Sequence, residues 1–284
     1  MIHQQNIYGK DKVEVAIERL KTFEPPEGYY LAFSGGKDSV VLKALADMSG
    51  VKYDAYYSVT TVDHPKLVQF IKREHPDVIF EKAHDKEGKH ITMWSLIIKK
   101  KLPPTRIARY CCEFLKEHGG EGRFTVTGVR WAESARRKNS RGGLEIENGS
   151  KKRIHADPDN PESERLARYC PTRGKHILNP IIDWTDDDIW EFIHEYDIPY
   201  CELYDEGYKR LGCIGCPMST HQAEELDAYP KIKAIYIRTF QKMLDARGYD
   251  PTKKPPSWKD GEDVYEWWIG NSKKEDAEQI EMEL

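Results

Sequence analysis

Six residues with the sequence SGGKDS constrain the fold of this chain more than any other feature. They follow an apolar run at 29–33, which has the character of a buried parallel strand, and lead into a segment with helical spacing at 39–48. Paired glycines permit a tight turn whose backbone N–H groups can surround an anion, and the helix N-terminus and the lysine add positive charge. The alternative is an ordinary strand-to-helix turn with glycines. The agreement of motif and context favours a phosphate-binding loop made of Ser34, Gly35, Gly36, Lys37, Asp38 and Ser39.

The wider pattern predicts an α/β fold with a doubly wound, mostly parallel sheet and a helical C-terminal region. Further strands are predicted at 53–59, 77–80, 124–128 and 177–182. Helices are predicted at 11–22, 66–74, 94–99, from 111, at 185–196, at 223–247 and at 264–269, and the acidic segment 273–284 is predicted to be a frayed helix. We therefore predict a nucleotide-binding domain over residues 1–220 and a helical extension over residues 221–284.

Residues 138–165 differ from their surroundings. They contain only four clearly apolar residues among many charges, namely Leu144, Ile146, Ile154 and Ala156. A segment of this composition cannot bury much apolar surface, so it predicts a mobile insertion that acts as a solvated loop or lid.

Composition and charge exclude several classes of protein. No apolar run approaches the roughly 18 residues that a membrane-spanning helix needs, so no membrane partner is expected. The polar N-terminal segment lacks an apolar signal core, which predicts a cytoplasmic protein. The net charge is 44 − 48 = −4, which does not support a nucleic acid as a partner, although the basic segment 138–153 leaves that alternative open.

Six cysteines in a predicted cytoplasmic chain are not expected to form a disulfide framework. They are clustered: Cys111 and Cys112 are adjacent, and Cys213 and Cys216 have C-x-x-C spacing, while two others stand apart. By itself, the C-x-x-C pair is compatible with half of a zinc site, a redox dithiol or half of an iron–sulfur site.

Four blocks along residues 25–220 resemble the phosphoadenosine phosphosulfate reductase family, within the adenine nucleotide α-hydrolase (N-type ATP pyrophosphatase) group. SGGKDS resembles the pyrophosphate loop of that group. The segment at 128–136 resembles the family's G-x-R-x-x-E-S-x-R block, and the segments at 179–190 and 198–208 continue the similarity toward the second cysteine pair. The resemblance implies an adenine nucleotide as ligand, either ATP or phosphoadenylyl sulfate, with Mg²⁺ near Asp38 if the nucleotide is ATP.

The same resemblance implies roles for residues outside the loop. Lys37 and Arg130 would be catalytic, neutralising charge that develops on the leaving group. Gly128, Arg130 and Arg136 would join the loop in binding the nucleotide, since guanidinium groups suit bidentate contact with phosphate or sulfate. For any single arginine the alternative is a solvated surface charge. Asp63 would lie near the ribose or adenine, with a turn or helix cap as its alternative role.

The cysteines resemble the C-C…C-x-x-C arrangement of iron–sulfur adenylyl-sulfate reductases. This resemblance implies a [4Fe–4S] cluster held by Cys111, Cys112, Cys213 and Cys216. A four-cysteine zinc site and buried structural thiols are the alternatives. Cys170, which lies in a repeat of the ARYC sequence around Cys111, is an alternative to either member of the first pair.

One departure from those reductases affects the expected reaction. They carry a nucleophilic cysteine near the C-terminus, whereas in this sequence no cysteine follows Cys216. A reductase would need Cys170, Cys201 or a partner protein to hold the sulfur intermediate. Two enzymatic hypotheses follow, phosphosulfate reduction and ATP-dependent sulfur transfer, with an unspecified electron donor or sulfur acceptor. A non-catalytic nucleotide- or redox-sensing module with a structural zinc site is the third hypothesis.

Overall fold

The computed structural model describes residues 1–6, 9–117, 119–147, 153–169, 175–248 and 258–270. The chain divides into two compact units, and each contains segments from several parts of the sequence. The first unit comprises Met1–Ser58, Pro65–Glu81 and Gly119–Leu211. The second comprises Val59–His64, Lys82–His118 and the residues from Gly212 on. This division differs from the predicted boundary at residue 220, because two short segments from the first half of the sequence pack with the C-terminal residues.

A seven-stranded sheet forms the centre of the first unit, which confirms the predicted doubly wound α/β class. Its spatial order is β3-β2-β1-β4-β7-β5-β6. The strands are β1 Tyr29–Ala32, β2 Tyr53–Val59, β3 Ile79–Lys82, β4 Thr125–Val126, β5 Leu144–Glu147, β6 Arg153–Ala156 and β7 His176–Leu178. β1 is parallel to β2 and β4, and β4 is parallel to β7.

Helices cover the sheet of the first unit. They are α1 Lys12–Thr22, α2 Lys37–Ser49, α3 Pro65–Glu74, α6 Ala135–Ser140, α7 Pro161–Tyr169 and α8 Asp186–Glu195. α1 and α8 both pack against α2. Capping boxes begin two of them: Asp11 caps α1 together with Glu14, and Thr185 caps α8 together with Asp188. The predicted helices at 11–22, 66–74 and 185–196 are confirmed to within one or two residues.

The strand order places the candidate loop at a topological switch point. From β1 the chain proceeds through α2 to β2 on one side, whereas β4 pairs with β1 on the other side. In open α/β sheets the crevice outside the carboxyl ends of two such strands is where ligands bind. Residues 33–36 leave β1 at this point, and residues 127–130 leave β4.

The predicted mobile insertion at 138–165 is instead structured in its described part. β5 pairs antiparallel with both β7 and β6, extending the sheet by a hairpin. The few apolar residues explain the difference, because Leu144 and Ile146 are fully buried on β5. Apolar residues at a spacing of two form one buried face of the strand, and Glu145 on the opposite face is buried as well.

The second unit is built from helices. They are α4 Met93–Lys100, α5 Tyr110–Leu115, α9 Gln222–Ala228, α10 Pro230–Arg247 and a helix over residues 261–270. α10 packs against α4 and α9, around a core that includes Tyr236, Phe240 and Trp268. The helix predicted at 223–247 is divided in two before Pro230, because proline lacks an N–H group and is well placed at the first position of a helix.

No helix among the described residues has the length and apolar character needed to cross a membrane. The predicted acidic helix at 273–284 lies outside the described residues.

Candidate functional site

The turn between β1 and α2 requires glycine at position 35. Gly35 has φ +72°, in the left-handed region that side chains disfavour. A Cβ atom at this position would also lie 2.7 Å from Cδ1 of Leu67 and 2.8 Å from Cδ1 of Ile71. The loop therefore lies directly against α3, with no room for a side chain.

The serine hydroxyls fix the inner shape of the loop. Ser39 Oγ donates to the carbonyl of Gly36 at 2.8 Å and accepts from the backbone N–H of Ser34 at 3.2 Å. Ser34 Oγ lies 3.1 Å from Ser39 Oγ. Gly36 is the N-cap of α2 and provides no side-chain acceptor for the first-turn N–H groups. The hydroxyls thus order the loop at the N-terminus of a 13-residue helix, which is a favourable place for an anion.

An ion-pair network lies beside the loop. Lys37 Nζ is 3.1 Å from Asp186 and 3.4 Å from Asp38. Arg130 binds the same two carboxylates, through Nε to Asp38 at 2.7 Å and through Nη2 to Asp186 at 2.7 Å. Its Nη1 donates to the carbonyl of Trp184 at 3.1 Å. Two cations and two anions therefore compensate one another.

The predicted anion-binding arginine, Arg130, is 1% exposed, and each of its three guanidinium nitrogens already has an acceptor. Burial opposes its charge, but Asp38 and Asp186 outweigh that effect and raise the pKa of Arg130. The guanidinium remains charged, and contact with a nucleotide would require it to exchange one of these carboxylates for a phosphate or sulfate oxygen.

The other two predicted residues of the 128–136 block occupy different surroundings. Gly128 permits close packing, since a Cβ there would lie 2.9 Å from the carbonyl oxygen of Asp38 in the first turn of α2. Arg136 is exposed on α6. The structure thus brings the region around Gly128 against the loop, whereas the side chain of Arg136 faces solvent.

Asp63 belongs to the second unit, where it fills the role of a turn residue. Both of its carboxylate oxygens accept hydrogen bonds from Thr60, one from the backbone N–H at 2.8 Å and one from the hydroxyl at 2.6 Å. Its backbone forms a β-bridge with Cys213. The turn at 60–63 therefore positions the segment that carries the second cysteine pair.

All four predicted cluster cysteines line one cavity in the second unit. The cavity encloses about 370 Å³, including space open to solvent. Its other lining residues are Thr60, Met93, Pro104, Leu115, Lys116, Gly215, Pro217 and Tyr236. The structure thus brings together two cysteine pairs that are about a hundred residues apart in sequence.

Two basic side chains accompany the thiols. Arg109 Nη2 donates to Cys112 Sγ at 3.5 Å, and Lys116 lines the cavity. A hydrogen bond from Cys111, followed by Arg109 and Lys116, lowers the pKa of Cys112 against the effect of burial. The negative charge of Cys213, more than that of Cys216 or Asp63, raises the pKa of Lys116. The hydrogen bond with Cys112 raises the pKa of Cys111, and burial raises that of Cys216, so among these three thiols the basic groups favour the thiolate at Cys112.

Side chains of helix α9 hydrogen-bond to the C-x-x-C turn. The Glu225 carboxylate accepts from the N–H of Gly215 at 3.2 Å and from Ser219 Oγ at 2.8 Å. Gln222 Nε2 donates to the carbonyl of Gly215 at 3.1 Å. Gly215 has φ +71°, and a Cβ there would lie 2.9 Å from the Leu226 side chain. Both polar groups of Gly215 are therefore fixed between the two cysteines.

The thiols do not converge on a single point. Among the residues that the structure describes, no three His, Cys, Asp or Glu side chains are placed to bind one metal ion. A zinc ion needs its ligands about 2.0–2.3 Å from one centre. A [4Fe–4S] cluster takes one thiolate at each of four separate irons, so its ligands surround a larger body. Four thiols around one cavity supply the donor type that a [4Fe–4S] cluster takes.

The remaining cysteines differ in accessibility. Cys201 is fully buried in the first unit, and burial raises the pKa of its thiol, so it is a poor nucleophile in this structure. Cys170, the alternative cluster ligand, lies outside the described residues.

Three residues at these sites were missed by sequence reasoning. The spacing of Lys116, four residues after Cys112, would have placed both on one face of a helix. Asp186 and Tyr204 lie in the segments 179–190 and 198–208 that resemble the family, but no local pattern indicated contact with the loop, because they approach it only through the packing of α8 and the turn that follows it.

Comparison with known proteins finds a family model and relatives that match this chain. The sequence model of the phosphoadenosine phosphosulfate reductase domain matches residues 28–219. An uncharacterised protein of Methanocaldococcus jannaschii is 29% identical over 77% of this chain and 48% of its own length. The adenosine 5'-phosphosulfate reductase of Salinibacter ruber is 35% identical over 20% of this chain and 22% of its own length. The chain thus spans about half of the first relative and less of the second.

Two solved structures are similar to this chain at low sequence identity. The phosphoadenylyl-sulfate reductase of Candida auris has a TM-score of 0.45 and 15% identity, covering 70% of this chain and 87% of its own. A U34-tRNA thiolase from Methanococcus maripaludis, solved with its [4Fe–4S] cluster, has a TM-score of 0.41 and 12% identity, covering 91% and 86%. With the family match extending over more than half of its length, the chain belongs to the phosphoadenosine phosphosulfate reductase family.

Proposed function

We propose that this protein is an enzyme of sulfur metabolism that binds an adenine nucleotide at the loop 34–39 and a [4Fe–4S] cluster at its four clustered cysteines. The observation that carries the proposal is the loop itself. Its glycine turn, its serine hydroxyls and the N-terminus of α2 meet at the switch point between β1 and β4. This arrangement suits the phosphates of ATP or the sulfate end of an adenylyl sulfate.

Lys37 has the direct electrostatic role in this proposal. Its ammonium, now bound to Asp38 and Asp186, neutralises negative charge on the leaving group, which is pyrophosphate when ATP reacts and the nucleotide phosphate when the S–O bond of an adenylyl sulfate breaks. Arg130 acts as a positioning residue, because its buried guanidinium holds the same two carboxylates and thereby fixes the place of the lysine. If the nucleotide is ATP, Mg²⁺ accompanies it, with Asp38 as the nearest carboxylate of the loop.

The cysteine cavity supports the second half of the proposal. Cys111, Cys112, Cys213 and Cys216 would hold the cluster, which supplies one-electron chemistry when bound. Arg109 and Lys116 favour the thiolate forms that ligation requires and compensate the negative charge of a cluster with four thiolates. Glu225 and Gln222 fix the turn between the second pair.

Anaerobic purification tests the metal centre. We expect about four irons and four acid-labile sulfides per chain, with the absorbance of an iron–sulfur cluster. Cys213→Ala should lose this iron, whereas Cys201→Ala, in a buried thiol of the other unit, should retain it. One zinc and no iron would instead support the alternative of a structural zinc site in a nucleotide- or redox-sensing module.

Product analysis with the reduced, cluster-loaded protein distinguishes the reactions. Pyrophosphate release from ATP in the presence of a sulfur acceptor indicates sulfur transfer, and sulfite release from adenylyl sulfate or phosphoadenylyl sulfate indicates reduction. Lys37→Met should abolish either reaction, whereas Lys52→Met, at an exposed lysine, should not affect it. Nucleotide binding without turnover of any of these substrates would refute the enzymatic proposal.

A further inference from the structure

A tyrosine hydroxyl lies beside the loop at the N-terminus of α2. The backbone N–H of Lys37, the first residue of α2, donates to Tyr204 Oη at 2.9 Å. A Cβ atom on Gly36 would lie 3.4 Å both from Tyr204 Oη and from Ser34 Oγ. The two hydroxyls therefore converge on the same glycine, beside the first N–H group of the helix.

The aromatic surroundings hold Tyr204 in this position. It ends the short 3₁₀ turn Glu202–Tyr204, which follows α8. The Trp190 ring of α8 packs edge-to-face against it, with centroids 5.3 Å apart at 86°, and Tyr200 lies 6.5 Å away. Packing on two sides limits the movement of the phenol ring, so the hydroxyl keeps its place at the loop.

The hydroxyl is suited to contact an anion. A phenol has one proton to donate and two lone pairs, and one lone pair accepts from Lys37. In the part of the chain that the structure describes, no acceptor receives the proton of this hydroxyl. Burial, more than any other effect, raises the pKa of Tyr204, so the group stays protonated at neutral pH. Phosphate and sulfate oxygens are acceptors only, and they match a donor that has no other acceptor.

We propose that Tyr204 is a ligand of the anion in the loop, accepting from the N–H of Lys37 while donating its proton to a phosphate or sulfate oxygen. This inference rests on the proposed function, since it assumes that an adenine nucleotide binds there. It adds a side chain from the turn after α8 to a site otherwise formed by the residues that follow β1. The loop and this turn then close on the anion from two sides.

Titration calorimetry with Tyr204→Phe tests this role, since phenylalanine keeps the ring packing against Trp190 and removes only the hydroxyl. The probes are ATP, inorganic pyrophosphate and adenosine. Loss of one hydrogen bond to a charged group should raise the Kd of ATP and of pyrophosphate about tenfold. The Kd of adenosine, which lacks phosphate, should not change.

Tyr200→Phe is the matched control, because it removes a hydroxyl from the same aromatic group. The Tyr200 hydroxyl donates to Asp205 at 3.0 Å. Its removal should leave all three Kd values unchanged. If Tyr204→Phe binds pyrophosphate as well as the wild type does, or more tightly, then the hydroxyl is only a structural contact or a competitor of the anion, and the inference is wrong. If the wild-type protein binds neither ATP nor pyrophosphate, the proposed nucleotide site fails as well, so the two failures are distinguishable.

Discussion

Replacing Arg130 by methionine separates the role implied by family resemblance from the role that the packing implies. An arginine that serves mainly as an anion ligand contributes little to stability, and its loss weakens binding alone. In the structure the guanidinium is instead buried and makes three hydrogen bonds, two of them to carboxylates. Arg130→Met keeps the apolar stem of the side chain but removes the guanidinium, which leaves Asp38 and Asp186 without their main cation.

The size of the stability loss depends on how much of the negative charge of Asp38 and Asp186 is still compensated in Arg130→Met. Breaking a buried ion pair by removing one partner costs about 3–5 kcal/mol. Here Lys37 still reaches both carboxylates, and the Asp186 side chain is 62% exposed and is partly solvated by water. We therefore expect Arg130→Met to lower the free energy of unfolding by the lower limit of this range, about 3 kcal/mol. At about 2–4 °C per kcal/mol for a domain of this size, the melting temperature should fall by about 6–12 °C.

Differential scanning calorimetry of the apo protein measures this effect without any nucleotide. Arg136→Met is the control, because this exposed arginine of the same block should change stability by no more than about 0.5 kcal/mol. An Arg130→Met protein that melts together with the Arg136→Met control, yet no longer binds nucleotide, would refute the positioning role and restore Arg130 as a direct ligand.

The remaining predictions concern the loop, the pH dependence of stability and the cysteine turn. Gly35→Ala and Gly50→Ala both place alanine at φ +72°, but only the Gly35→Ala methyl group meets side chains of α3. Urea denaturation should therefore show about 1–3 kcal/mol more destabilisation for Gly35→Ala than for Gly50→Ala. Equal denaturation midpoints would contradict the packing argument. Burial opposes ionisation of Asp186, but hydrogen bonds from Arg130 and Lys37 outweigh it and hold its pKa below the usual 3.8. A lowered pKa stabilises the folded state above the usual value, and this stabilisation is lost as the pH falls through the lowered pKa. The stability difference between the wild type and Asp186→Asn should therefore close as the pH falls below 3.8, and a difference that stays constant in acid would exclude this linkage. The Glu225→Leu protein should release iron to a chelator faster than the Glu224→Leu protein, in which an exposed residue of α9 is changed. Equal rates of iron release would show that the contacts of Glu225 with Gly215 and Ser219 do not hold the turn.

Local sequence patterns predicted the elements around the loop well. The strands at 29–33 and 53–59 and the helix at 39–48 are present with small shifts at their ends, because apolar periodicity and glycine turns act over a few residues. The hairpin of β5 and β6 was missed, since its burial depends on pairing with β7 rather than on its own composition. The helix at 223–247 was not divided, although Pro230 is a visible signal of a helix start.

For the sites, the sequence by itself determined which groups carry the chemistry: the SGGKDS loop and the two cysteine pairs. The tertiary structure decided how they are arranged. It placed the four thiols around one cavity, enclosed Arg130 between two carboxylates, and brought Tyr204 to the N–H of Lys37. These contacts join residues between 56 and 167 positions apart, so no local pattern encodes them. The contacts of Arg130 and Tyr204 arise because the strand order and the packing of α8 bring distant segments of the first unit to one edge of the sheet, and there burial selects which polar groups become partners.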